Sequence, residues 1–589
     1  MSLSQQVHVD IDSFDKTVIY YDLKVDQVLA GHHRFSFLWR YTDAVITDPE
    51  ERNAMMRRYS GRDVIFTFTS TTGTTLKAKG VIENLASVNR QGSSAGLQVT
   101  GISHTSYIDD MKKSRTFLNR NLQEILLEIL PSETPGDFYQ SAHMAPTFRT
   151  RLPYSAQYNE TTFEYIKRLA TRYGQWCYWD GMRLQFGAIK DSKVKLVSGS
   201  SVHDFTTATH FAPQKASLAA YDYEKGAKIQ ATQRKVSEGS SDGLAAHMAQ
   251  KQHDYFTRDM EVSAYTAQAA GQQDLDEMAK LQAAAAAAYS ATYSGTSYEP
   301  LGVGRAFMVM EGQVEYRLVA VSVQHLSDNH GNYHCTFTAI PADVAAPPYT
   351  DPHCFAGAQT QPARVLDNND PQGLGRIRVL FQWGTECSKE TDWIRMVQPH
   401  SGAGKGFYFI PEIDEEVLVG FEGSNAEKPY IIGTQYNGKQ SSGYSTPGND
   451  QKVIHTRSGT KIILNDAEGS VFIEDPSGNT YLMDGKGNIN VSAPKNMTLN
   501  AGEDFSINVG KNMYTTVGNN KKLKVAKDNS IITTNHNEEI NNNKTVRVIQ
   551  KLEETTGSTK HLAKNGDILI HSNGVTTVYG SVDTKVNKG

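Results

Sequence analysis

The sequence predicts a mainly β protein with some helices, ending in a β-helical rod, or β-prism, that only three identical chains can close. Three observations predict it. Runs rich in β-branched and aromatic residues recur through the first 340 residues, several short strands split by Gly and Pro crowd into 361–440, and from about residue 453 apolar residues return every eight positions.

The first body spans 1–345. VIFTFTS (64–70) and LQVTGIS (97–103) alternate apolar and polar residues, as half-buried strands do. Helices interrupt them. RTFLNRNLQEILLEIL places Leu118, Leu122, Ile125, Leu126 and Ile129 on one face, with Pro131 as the stop. A second helix opens at Thr161, with Glu164 at capping-box spacing and Phe163, Ile166, Leu169, Ala170 and Tyr173 on one stripe. The six alanines Ala283 to Ala288 predict a third helix, read as a surface or bridging element in preference to an interface of close backbones.

IPADVAAPPYTDPHC (340–354) carries four prolines, which neither donate to a sheet nor continue a helix, so 346–360 reads as a linker. Beyond it, GRIRVLFQWG, DWIRMVQP, KGFYFIPEIDEEVLVGFEG and KPYIIGTQYNG have the spacing of a small closed barrel over 361–440. KQSSGYSTPGNDQ supplies a second, flexible linker at 441–452.

The tail, 453–589, is counted in eights. Ile489, Met497, Phe505 and Met513 share one phase; Val491, Leu499, Ile507, Thr515, Leu523 and Ile531 share a second; Ala493, Ala501, Val509, Val517 and Val525 share a third. The phases lie two apart, which is strand alternation, and Gly502, Gly510 and Gly518 close three octads, where a positive φ is expected at the corner. A strand of about five residues with one apolar edge cannot bury that edge alone. Three chains around one axis supply the missing partners and leave no lateral edge. After Ile531 the repeat decays: Thr533 and Asn541 stand where Val509 and Val517 stood, and in VRVIQ the alternation has moved by one residue. A local irregularity is therefore expected over 533–563, with ions or water on the axis, before order returns at GDILIHSNGVTTVYG.

Chemistry is scarce. Net charge is -5, from 59 basic and 64 acidic residues, which disfavours a general nucleic-acid binder, and 361–438 alone hold seven basic against eleven acidic residues. SGAGKG (401–406) lacks the Gly and the Ser or Thr that a phosphate loop requires and reads as a Gly-rich hairpin; GLGR (373–376) reads as a turn. Glu412, Asp414, Glu415 and Glu416 read as a solvated loop face, because too few residues separate barrel from rod to house a lysozyme-like domain. Cys177, Cys335, Cys354 and Cys387 are far apart without C-x-x-C pairing and read as reduced, buried or semi-buried thiols. His571 is the residue a three-chain metal site near the rod's end would use, and a plain surface histidine is the preferred reading. No catalytic residue, metal or cofactor is expected. The start, MSLSQQVHVDIDSFDK, has no basic n-region leading into an apolar stretch, so cytosolic synthesis and export without a signal peptide are expected.

GLGRIRVLFQWG, WIRMVQPHSGAGKGFYFIPEIDEEVLVGFEG and KPYIIGTQYNG resemble the barrel segment of the VgrG family, the spike proteins of type VI secretion and related contractile injection systems. The tail from HTRSGTKIILND through DPSGNTYLMDGKGNINV is similar to that family's trimeric β-helix, and FEYIKRLATRYGQWCYWDG with VEYRLVAVSVQHLSDNHGNYHCTFTAIP is similar to its hub. The resemblance implies a non-enzymatic homotrimer: a phage hub-like domain of two related barrels with helical insertions at 1–345, an OB-fold collar at 361–440 and a triple-stranded β-helix spike at 453–589. It implies a hexameric, Hcp-like tube protein, baseplate proteins, a PAAR-type tip protein and effectors or their adaptors as partners. It further implies assembly in the bacterial cytoplasm and ejection towards a target cell. The chain ends at KVNKG with no further domain expected, so it resembles the plain members of the family and not those fused to a toxin. A spike with its own cell-wall hydrolase activity and a phage-like trimeric tail fibre are the alternatives.

Overall fold

The computed structural model describes residues 6–40, 48–90, 93–233, 241–257, 269, 271–328, 331–383 and 389–586. Alternation in the sequence becomes alternation in burial: in Asp63–Thr69, Val64, Phe66 and Phe68 are buried while the residues between them are half exposed. This strand lies between Val7–Ile11 and Thr75–Arg90 in a twelve-stranded sheet. The order continues through Ser93–Ser103, Arg34–Arg40 and Ile19–Val28, which completes a first group of six strands. Ile19–Val28 then pairs antiparallel with Val314–Ser327, Asp26 opposite Gln324, and that strand leads into Tyr333–Pro341, Ala291–Ser297 and Val202–Thr209. Arg305–Glu311 pairs with Val314–Ser327 on its other reach, and Lys190–Val197 runs parallel to Arg305–Glu311.

Both capped helices form, with boundaries set by local chemistry. Thr162–Arg172 carries the expected reciprocal capping box between Thr161 and Glu164 and buries Phe163, Ile166, Leu169 and Ala170. The earlier helix is Leu122–Glu133, capped by Asn121 with Glu124. Leu118 therefore belongs to the preceding strand, Lys113–Arg120, and not to the helix face. Pro131 does not stop the helix either: it sits inside the last turn, where the Ser132 and Thr134 hydroxyls donate to the carbonyls of Ile129 and Leu130 and close the end. The alanine-rich helix, Gln272–Ala287, buries Leu275, Met278, Ala279 and Ala283 against the hairpin Ala216–Asp222/Ala227–Gln233. It is thus packed along one face.

The small barrel closes. Gln361–Asp367 lies between Arg378–Phe381 and Glu416–Phe421, and the latter pairs with Pro429–Thr434. Bridges Ile377–Ile394 and Met396–Ile431 carry the ring through the 390–396 segment back to its start. Ala363, Val365, Val379, Phe381, Val417, Val419 and Ile431 fill it. The stretch 346–360 connects the two bodies but is tied down: Tyr349 donates its hydroxyl to the Gln175 carbonyl at 2.6 Å, and Ala356 and Ala358 are buried.

Past the barrel, Gln451–His455, Lys461–Asn465 and Ser470–Glu474 form an antiparallel meander. Two more strands, Thr480–Met483 and Ile489–Ser492, follow in the chain. The chain divides into two compact units, one of residues 1–474 and 481–490, the other of 475–480 and 491–589. Within the second, no described residue beyond Ser492 lies in a strand or a helix; bends recur along it at near-regular spacing.

Candidate functional site

Inside the first unit, the joint between the large body and the small barrel is a buried ionic cluster. Glu427 stands just ahead of the barrel strand Pro429–Thr434 and reaches into the larger body. Its carboxylate accepts from the Ser155 hydroxyl at 2.7 Å, from the Ala156 N–H at 3.2 Å and from the Arg172 and Arg168 guanidiniums. Arg168 also donates to both oxygens of Glu160, at 2.8 and 3.0 Å. Both arginines project from Thr162–Arg172, so the capping box that starts this helix also aims the cluster. Burial works against a charged Glu427, but Arg172, Arg168, Ser155 and the Ala156 N–H hold its carboxyl below the usual range. Around it, the Ala426 N–H donates to the Ala356 carbonyl at 3.0 Å, and the Ala358 N–H to Ser424 at 2.7 Å. Nothing in the sequence flagged this joint, because its partners lie about 255 to 272 positions apart.

A second contact is made by the insertion hairpin. Its turn sets the Tyr223 ring 4.6 Å beneath the Arg395 guanidinium and places Glu224 3.4 Å from Arg376. Arg376 donates from Nε and Nη2 to Asp370 at 3.1 and 2.8 Å, holding that carboxyl well below its usual range. SGAGKG is the hairpin Ser401–Gly402/Lys405–Gly406, and GLGR is a turn with Gly373 and Gly375 at φ 67° and 71°. The carboxylates near 412–416 form a loop face in which Arg457 pairs with Glu412 at 2.9 Å. Cys177 and Cys335 are buried, and burial pushes their thiols up to about 12 and about 11; Cys354 is half-buried, and Cys387 lies outside the described residues. Among the described residues, no group of His, Cys, Asp and Glu is arranged to hold a metal, and no helix is long and apolar enough to cross a membrane.

The octad residues present an unpartnered apolar face. Ile489, Val491, Met497, Leu499, Phe505, Ile507, Val509, Met513, Val517, Leu523, Val525 and Ile531 are all exposed in a single chain, as is Ala501. Gly502, Gly510 and Gly518 each open a bend, but none has a positive φ and a Cβ would meet nothing within 4 Å. The corners are therefore gentler than a left-handed turn, and glycine there is not demanded by backbone sterics. His571 is exposed.

Residues 361–436 match the profile of the type VI secretion system/phage-baseplate injector OB domain, and residues 46–331 that of the phage tail baseplate hub. The chain is 24% identical over 488 residues to the type VI secretion system spike protein VgrG1a of Pseudomonas aeruginosa, covering 75% of this chain and 71% of that one. It is 23% identical over 419 residues to VgrG1b of the same organism, covering 65% of this chain but 54% of the relative, so the alignment spans about half of that protein. Its fold is similar to a chain in the lidded structure of a Francisella PdpA–VgrG complex, at TM-score 0.53 and 9% identity, over 82% of this chain and 79% of the other.

Proposed function

From the premise that the chain belongs to the VgrG family of type VI secretion spike proteins, we propose that it works as a non-enzymatic homotrimeric hub and spike, docking on a hexameric tube and puncturing a target envelope to deliver effectors. The observation that carries this reading is the octad face: a ladder of aliphatic side chains with strand alternation and no partner in its own chain. At roughly 2 kcal/mol per aliphatic side chain buried, a dozen such residues per chain would contribute tens of kcal/mol per trimer before conformational entropy is subtracted. Three chains also give each inward side chain two equivalent neighbours, which makes a stiff rod out of segments that have no core alone.

On this reading sheath contraction elsewhere supplies the force, and this chain supplies stiffness and a narrow front. The hub receives the tube protein and the baseplate, the rod's end takes a PAAR-type tip protein, and effectors ride by attachment. Assembly happens in the bacterial cytoplasm, and firing carries the protein out without a signal peptide. The joint around Glu427 supports the mechanical role, because it is a buried, charge-paired tie between the hub and collar folds along which load can pass.

The solution mass of the purified chain tests the proposal. Three times the 65.1 kDa chain mass is expected by light scattering. A species at the single-chain mass whose last hundred or so residues resist protease would overturn it.

A further inference from the structure

The bends of the tail measure its repeat without reference to residue type. They open at 494, 502, 510, 518, 526 and 534, always eight apart; the next opens at 541, the spacing of eight resumes at 549 and 557, a three-residue bend at 564–566 is centred on 565, and the last two open at 573 and 581. The step from 534 to 541 is seven residues long, and the phase it sets is kept at 549, 557, 573 and 581, with the bend at 564–566 centred on it.

Exposure shifts with it. The residue directly before a bend is the least exposed apolar residue of its octad: Val509 at 49%, Val517 at 47% and Val525 at 46%. Beyond the short step, the residues directly before the bends at 541 and 549 are Ile540 at 43% and Val548 at 47%. Unbroken counting in eights from Val525 and Met513 would instead select Ile549 and Leu569, which are 90% and 86% exposed.

Residue chemistry agrees. The fifth place after each bend holds Leu499, Ile507, Thr515, Leu523 and Ile531 before the step. After it, the same place holds Val546, Glu554, Leu562, Ile570, Val578 and Val586, whereas unbroken counting would turn Arg547 and His571 inward. Because side chains alternate with period two, a shift of one residue would otherwise exchange the two faces of every later strand.

We infer that the apolar face shared by three copies of this chain continues past the irregular stretch by way of a single shortened octad at 534–541, so that Ile540, Val546, Val548 and Ile570 line the same axis as Val509. This rests on the three-chain reading above. The irregularity is a change of phase, one residue long, and His571 stays on the outer face.

Single-cysteine substitutions in the full chain test it, with copper-phenanthroline as oxidant and covalent dimers read on a non-reducing denaturing gel. The parent chain, with only its natural thiols, sets the baseline. Val509→Cys, Val548→Cys and Ile570→Cys are expected to cross-link about tenfold or more above the parent, since a disulfide needs Cβ atoms about 4 Å apart. Ile549→Cys and Leu569→Cys are expected to stay at baseline. Cross-linking at 549 and 569 but not at 548 and 570 overturns the shortened octad, and cross-linking at 509 alone overturns the continuity. Baseline behaviour at 509 overturns the three-chain reading itself, so the two failures are told apart.

Discussion

Replacing Glu427 by Gln removes one negative charge from a site that holds two buried guanidiniums. Gln still fills the space and can still accept from Ser155 and the Ala156 N–H, so packing is nearly constant and the electrostatic change stands alone. Arg168 keeps Glu160, but Arg172 loses the one carboxylate it pairs with in this cluster. Removing one partner of a buried ion pair costs about 3–5 kcal/mol, chiefly because the other charge stays buried and uncompensated. Opening of the joint should therefore become roughly 100- to 5000-fold more frequent. Native-state hydrogen exchange reads this at the amides of Ala426 and Ala358, which tie the connecting stretch to the barrel beside the cluster without touching the altered side chain. A companion variant, Glu427→Leu with Arg172→Met, removes the stranded charge as well, leaves Arg168 paired with Glu160, and is expected to recover most of the loss, since apolar replacement of a buried ion pair is often near neutral. The reasoning fails if Glu427→Gln leaves exchange at both amides within about threefold of the parent, or if the double variant is worse than the single one. Because burial opposes the charged form and the arginines more than offset it, the cluster's contribution is complete above the ordinary carboxylate pKa and falls away as pH drops through the depressed folded value.

Three further outcomes are expected. Burial lowers His33 to about 4 and His325 to about 3, so hub stability should be level above about pH 6.5 and fall as pH drops towards those values, by roughly 3 and 5 kcal/mol when complete; thermal melts from pH 7 to 4 check this, and His325→Phe should flatten the acid limb. On the three-chain proposal, Val517→Asp would set three carboxylates against the shared axis and should open the tail to trypsin, whereas Tyr514→Asp, at an 86% exposed position, should not; equal cleavage of both would refute the inward assignment. Cys177, with its thiol raised to about 12, should resist iodoacetamide at pH 8 in the folded chain and react at once in denaturant, and rapid native labelling would contradict its burial.

What the sequence discloses depends on how far apart the deciding residues lie. Local chemistry was legible: the Thr161/Glu164 capping box, the Val64/Phe66/Phe68 alternation and the hairpin in SGAGKG all follow from residues within a few positions of one another. Helical periodicity alone misassigned Leu118, because the Asn121 cap fixes where the helix starts, and Pro131 misled because a proline near a helix end removes one donor without blocking hydroxyl closure. Glu427, Arg168 and Arg172 were invisible, since a charged residue on a strand flank looks solvated until a body some 255 residues upstream closes over it. The octad residues rest on pattern, and the positive φ expected at Gly502, Gly510 and Gly518 assumed a tight corner where the backbone only bends.

The two halves of the chain pose different folding problems. The hub and collar bury Phe66, Phe68, Leu169, Val379 and their neighbours within one polypeptide, so each can fold at any concentration. A rod of near-identical octads has no such anchor: one chain slipped by eight residues against the others would still set apolar side chains against apolar side chains, at little cost per layer. Trimerisation of the folded collar would remove most of that freedom by starting all three chains at the same octad. On the three-chain proposal the shortened step at 534–541 would remove the rest, because a slipped chain would set its seven-residue octad beside full ones and put the inward and outward residues of that layer out of phase. Inserting one residue after Asn537 restores eights throughout and puts this to the test. Refolded from denaturant, the insertion variant should reach a protease-resistant tail more slowly than the parent and with a larger misassembled fraction. If it refolds faster and melts higher, the step is a flaw the rod tolerates and not a key to its register.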